Sequence, residues 1–202
     1  MTQYGWRDGK ITVKKFTVQD KMPVNYAIPD LAGQSTVAIL EAFDLGAHGT
    51  ANITGTSLSA QPPYPMAISV QAINDGTAAN TDTLTIYGYD ARGNFINEAV
   101  TVSSTAQTGN TVSSTNNAFA RITKMVANAV SGSSDLNVGY VGRIGLPYKL
   151  NSFDDIISYG YGSAYSTTNA STMTLSSTYH TLTLPAMEVG KSVKLLWLSK
   201  VQ

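Results

Sequence analysis

At 202 residues the chain is long enough to bury a sizeable core without staples, and short enough to be one domain, alone or with an appended arm or subdomain. Charged residues make up 13% of it, about half the roughly 25% of an average soluble domain, and Thr, Ser, Asn, Ala and Gly take their place. Thirteen basic and thirteen acidic residues cancel, leaving no overall field to steer DNA, RNA or acidic lipid, and the lack of cysteine excludes disulfides, thiolate nucleophiles and Cys-ligated zinc.

The first ten residues, MTQYGWRDGK, contain no apolar h-region, so no secretion leader is expected there. No stretch approaches the roughly 20 apolar residues of a membrane span. Residues 1–22 read as a basic arm or edge strand, since Arg7, Lys10, Lys14, Lys15 and Lys21 are offset only by Asp8 and Asp20. Such an arm suits an acidic neighbour, and its lysines equally suit an edge strand guarded against unwanted pairing. Within it, residues 11–14 (ITVK) read as a strand.

From residue 23 to residue 202 the pattern is that of a β-sandwich domain, with 151–202 a candidate C-terminal subdomain. Period-two alternation marks residues 66–70 (MAISV), 84–87 (LTIY), 99–102 (AVTV) and 182–184 (LTL), and residues 37–40 (VAIL) read as a more buried strand. Turn clusters separate them at 74–76, 90–94, 131–135 and 188–191. Gln61-Pro62-Pro63-Tyr64-Pro65 must be a connector or an edge, because proline cannot donate to a ladder. The clearest unit is a hairpin over 83–102, reversed where Gly93 and Asn94 tolerate positive φ. Residues 117–130 suit a bent strand better than a helix. Two polar stretches, 103–117 and 158–177, read as long loops. Short, regularly punctuated strands predict an all-β, antiparallel β-sandwich of jelly-roll or Ig-like type, with long polar loops and an N-terminal arm.

Chemistry-bearing patterns are sparse. His48 and His180 are the entire imidazole supply and show no metal-ligand spacing, so each reads as a loop or strand residue. Asp154 and Asp155 would face opposite sides of a strand and cannot act together as acid and base; they read as a solvated turn. Gly139, Gly142 and Gly145 recur every third residue, which is no dinucleotide fingerprint and fits strand twist or close packing. No G-x-S-x-G elbow occurs. The sequence therefore predicts a non-enzymatic protein with no cofactor and no metal. The cluster Tyr159-Gly160-Tyr161-Gly162-Ser163-Ala164-Tyr165 is the most suggestive local feature. Tyrosine offers contact area at small entropic cost, and glycine lets a loop adapt. The candidate partner contacts are thus Trp6, Arg7, Lys14, Lys15, Tyr159, Tyr161 and Tyr165, while Trp197 reads as core or an inter-subunit strand.

The block beginning at Ile53 carries Thr-Gly-Thr-Ser (54–57), Pro-Met-Ala-Ile-Ser-Val (65–70) and Leu-Thr-Ile-Tyr-Gly-Tyr-Asp-Ala-Arg-Gly-Asn (84–94). Asn-Glu-Ala-Val-Thr-Val (97–102), Ala-Phe-Ala-Arg-Ile-Thr (118–123), Val-Gly-Tyr (138–140) and Gly-Leu-Pro (145–147) follow. This order resembles a loosely defined group of tailed-bacteriophage virion structural proteins. Their shared pattern is a Gly-x-Asp-x-x-Gly-Asn hairpin, a Glu-x-Val-Thr strand and a Phe-x-x-Ile-Thr strand. The chain departs from it with Tyr-Gly-Tyr-Asp at 87–90, where Thr-Gly-Thr-Asp is commoner. The resemblance covers about half the chain and carries no chemically acting residues.

It implies a virion component assembled in the host cytoplasm, a capsid decoration or cement protein touching the major capsid protein. A homo-oligomer such as a trimer is expected, because a surface with few charges and no net charge opposes self-association weakly. Neither direct nucleic-acid nor membrane contact is expected. The alternatives are a tail, neck or baseplate protein, and a carbohydrate-binding or adhesion module, in which the tyrosines would bind glycan.

Overall fold

Val193, Leu195, Trp197 and Ser199 turn to one side of a strand while Lys194 and Lys200 turn to the other, the alternation that extended backbone imposes. The same rule organises the whole chain in a computed structural model, which describes residues 21–44, 51–54, 57–74, 80–105, 109–110, 112–127, 134–161, 164–166, 173–184 and 188–200.

Fifteen strands are formed among these residues: β1 (Lys21–Ile28), β2 (Ser35–Asp44), β3 (Ala51–Thr54), β4 (Met66–Asn74) and β5 (Asn80–Tyr89). Then come β6 (Phe95–Thr105), β7 (Gly109–Asn110), β8 (Val112–Phe119), β9 (Arg121–Ala127) and β10 (Ser134–Gly145). The last five are β11 (Ile156–Tyr161), β12 (Ala164–Ser166), β13 (Thr174–Ser176), β14 (Thr181–Thr183) and β15 (Val193–Lys200). All their pairings are antiparallel.

Three sheets result. The first runs β1-β15-β11-β12, the second β13-β14-β10-β4-β8 with β2 also on β10, and the third β3-β9-β5-β6-β7. The second and third sheets face each other across one core, which includes Ile39, Ile68, Val70, Leu84, Ile86, Phe119, Ile122, Met125 and Val138. A further core lies between the first sheet and the far end of the second, where Val24, Ile28, Ile144, Leu182, Leu195 and Trp197 meet. Full burial of each such side chain contributes about 1.5–3 kcal/mol relative to exposure. Strand β10 spans both cores, with Leu136 and Val138 in one and Ile144 in the other. The fold is an all-β antiparallel sandwich, with its second sheet shared between two cores.

Several local expectations meet their geometry. The hairpin pairs Tyr89 with Phe95 through Thr83 with Thr101, and Gly93 adopts φ +80. Asn94 does not take positive φ; it serves the turn through its amide instead. Residues 117–130 contain strand on both sides of Ala120, and the described part forms no helix. The proline-rich segment is a connector. Its Gln61 amide accepts from Ile122 N at 2.7 Å and donates to Ile122 O at 3.1 Å, acting as a substitute strand beside β9. Gly139 permits close packing: a Cβ there would lie 1.9 Å from Ser35 O on β2. Trp197 is fully buried, with its Nε1 donating to Lys149 O at 3.2 Å.

Other expectations are corrected. The stretches 103–117 and 158–177 are not simply loops, for they carry the end of β6, β7 and most of β8, and most of β11 with β12 and β13. Their polar residues hold strand because partners far along the chain satisfy them. Thr115 Oγ1, for example, accepts from Ile68 N at 2.9 Å and donates to Asn117 O at 2.7 Å. Lys21 and Met22, the end of the expected arm, belong to β1 and pair with Lys200 and Ser199. Asp154 is exposed, but Asp155 is buried and ion-paired with Lys21, so only half of that pair is a solvated turn. The strand expected at residues 11–14 and the residue His48 lie outside the described residues.

Candidate functional site

The end of the β5–β6 hairpin presents a cluster of three rings, of which Tyr89 and Phe95 are exposed and Tyr87 is half-buried. In β5, Leu84 and Ile86 point into the core, so Tyr87 and Tyr89 must point outward. Phe95 opens β6 directly opposite Tyr89 and is 58% exposed. The ring of Phe95 stacks on Tyr87 at 6.5 Å between centroids and meets Tyr89 edge-on at 5.7 Å. Both are favoured ring geometries, so the patch holds its shape without a partner.

Cations border it. Lys124 Nζ lies 4.6 Å from the Tyr87 ring centroid, where the ring quadrupole attracts it. Arg121 pairs with Tyr89 across the β5–β9 ladder. A register shift between Tyr87 and Gly88 brings β9 so close that a Cβ on Gly88 would lie 2.1 Å from Arg121 O. Glycine at 88 is therefore what lets the cationic strand approach the aromatic one.

The turn itself is rigid. Asp90 Oδ1 accepts from Arg92 N at 2.8 Å and Asn94 N at 2.9 Å. Its Oδ2 accepts from Arg92 Nε at 3.1 Å and Nη2 at 2.8 Å, and from Asn94 Nδ2 at 3.1 Å. Burial alone would raise the Asp90 carboxyl, but the hydrogen bonds from Asn94 and Arg92 outweigh it and hold the group below the ordinary carboxylate range. His180, at φ +51 in the turn before β14, is held below the usual imidazole range by burial first, then by the positive charges of Arg92 and Lys149.

Stacked rings on a pre-set turn can bury apolar area against a partner at little entropic cost, and the tyrosine hydroxyls supply hydrogen bonds at the rim. The patch is suited to docking.

Of the residues expected to make contacts, those described lie off the hairpin. Trp6, Arg7, Lys14 and Lys15 lie outside the described residues. Tyr159 is 2% exposed, its ring inside the second core, so it is packed within the chain rather than presented to a partner. Burial raises its hydroxyl pKa, and the neighbouring Tyr161 adds to that shift. Tyr161 is half-buried against the same core, and its hydroxyl accepts from Glu188 N at 3.3 Å. Tyr165 lies on β12 opposite Gly160, and its side chain is outside the described residues. The tyrosine cluster is thus largely a sheet, and the aromatic face sits on the hairpin. The signal for it was present: Tyr87, Tyr89 and Phe95 occupy solvent-facing positions of an alternating hairpin, where Thr or Lys would be ordinary.

The chain matches no protein-family model, no curated protein and no solved structure.

Proposed function

We propose that the protein is a structural subunit of a phage virion, a capsid decoration or cement protein that strengthens contacts between major capsid proteins. The observation that carries this reading is the Tyr87–Phe95–Tyr89 patch on the hairpin tip, with Phe95 and Tyr89 exposed and Tyr87 half-buried beneath Phe95. Aromatic anchors bordered by cations are what a protein interface concentrates its binding energy in. The resemblance of the block beginning at Ile53 to virion proteins supplies the particle, and the low charge suits a subunit that works in contact with copies and neighbours. In a symmetric shell each copy adds a small increment, and many repeats make the increment large.

The test is to compare particles with and without the protein, then to add back wild-type protein or the Phe95→Ser variant. Lost surface density and earlier heat rupture, restored by wild type and not by the variant, are expected. Particles that never contain the protein, or whose shells are unchanged without it, overturn the reading. Loss of tail parts from an intact shell moves it to the tail, neck or baseplate. Exposed stacked rings beside Asn97 also support a second reading, glycan binding at the same patch. A glycan-array signal lost in Phe95→Ser, with no particle binding, selects it.

A further inference from the structure

The hairpin turn itself, between Tyr89 and Phe95, meets β15 and the segment after β10. Together they enclose a cleft of about 460 Å³ lined by Arg92, Asn94, Tyr148, Lys149, Ser199 and Lys200. Three cations face it, and among the described residues its lining contains no carboxylate. Asp90 holds the Arg92 guanidinium through Nε and Nη2, fixing it at the rim. Lys149 and Lys200 form no salt bridge among the described residues, and the nearby acid Asp155 is already engaged by Lys21.

These cations stand on anchored backbone. Lys149 O receives the Trp197 indole N–H, and Lys200 is in register with Lys21 in the β1–β15 ladder. The charges are therefore gathered before any partner arrives, which lowers the cost of binding. Arg92 and Lys149 both act to lower the His180 pKa, after burial, as positive charge gathered at this end does. Met22 and Pro147 add an apolar wall beside the half-exposed Tyr148.

We propose that this cleft binds a carboxylate-bearing segment of a partner protein chain, with side-chain carboxylates on Lys149 and Lys200, beside the Asp90-paired Arg92, and an apolar neighbour on Tyr148. A nucleic-acid backbone asks for a track of cations along a groove, whereas Lys149 and Lys200 at one small cleft, with Arg92 already paired to Asp90, match one or two carboxylates. The proposal rests on the docking reading only in taking the partner to be a protein.

The test is amide NMR of the full chain titrated, at low salt, with a blocked hexapeptide of alternating aspartate and glutamate. Shifts should centre on residues 92–94, 147–149 and 199–200, weaken with added salt, and need at least about tenfold more peptide in Lys149→Gln/Lys200→Gln. The Lys149→Arg/Lys200→Arg protein should retain binding. No shifts at millimolar peptide, shifts spread over all lysines, or unchanged affinity in the glutamine variant overturn the proposal. So does tighter binding of an oligothymidylate of equal charge. Protein that takes the peptide in the cleft but ignores the particle leaves this inference standing and removes the capsid reading.

Discussion

Glu98 and Asn117 stand on strands that share no ladder, yet one oxygen of the Glu98 carboxylate accepts both the Asn117 backbone N–H at 2.8 Å and its side-chain amide at 2.9 Å. The other oxygen accepts from Asn116 N at 2.7 Å and Nδ2 at 3.1 Å. A bulge in β8 opposite Ile68 takes these N–H groups out of the sheet, and Glu98 replaces the missing acceptors, joining the edges of two facing sheets. Glu98→Gln leaves one acceptor oxygen and puts a donor where Asn116 or Asn117 needs an acceptor. It should destabilise the fold by about 1–3 kcal/mol, read as a lower urea midpoint at unchanged slope.

Two glycine substitutions should differ sharply. Gly139→Ala drives a Cβ into Ser35 O and must push β2 off β10, a loss of more than about 2 kcal/mol by denaturant unfolding. Gly93→Ala meets nothing within 4 Å and strains only the φ of +80, a loss of about 1 kcal/mol.

Acid should weaken the protein in two windows. His180 resists protonation when folded, so below about pH 6.5 the unfolded chain binds more protons and stability falls until the folded imidazole also titrates. Asp90 is depressed when folded. Its contribution is present above the ordinary carboxylate pKa of about 3.9 and is lost as pH falls through the folded value. His180→Asn, which tolerates the φ of +51, should abolish the upper window and leave the lower one in a series of unfolding curves.

Alkali acts on Tyr64, whose hydroxyl is pushed up to about 12, chiefly by burial. The unfolded phenol ionises near pH 10, so stability should fall as pH rises from about 10 to about 12. Tyr64→Phe should make that limb shallower, leaving the smaller contributions of Tyr26 and Tyr159, at the expense of the hydroxyl's bond with Ala32 N, 3.1 Å.

Phe95→Ser should cost no more than about 2 kcal/mol in denaturant unfolding, because the ring is mostly in solvent and gives up only its two ring pairs. Any loss of docking by this variant then reports the patch itself and not unfolding. A drop of several kcal/mol would show the ring to be structural.

The parts of the fold legible in the sequence are those settled within a few residues. Asp90, Gly93 and Asn94 specify their turn locally, and the alternation of β4, β5 and β6 marks which residues turn inward. What was hidden depends on distant chain. Residues 112–117 are polar enough to read as loop, and only Glu98, Ile68 and β4 make them strand. Tyr159 reads like Tyr161 in a Tyr-Gly repeat, and its ring's place inside the second core emerges only once β15 is alongside. The candidate site was missed for a related reason: aromatic residues on both sides of a hairpin look like core until the opposite face is assigned.

The β1–β15 ladder sets the order in which the molecule can be completed. Strand β1 leaves the ribosome before β2 to β15, but its partner is made only at residues 193–200, after everything in the first core. The first core can close during synthesis, while Val24 and Ile28 wait with their apolar faces bare until Leu195 and Trp197 arrive. Truncation near the C-terminus therefore unmakes the first described strand as well as the last.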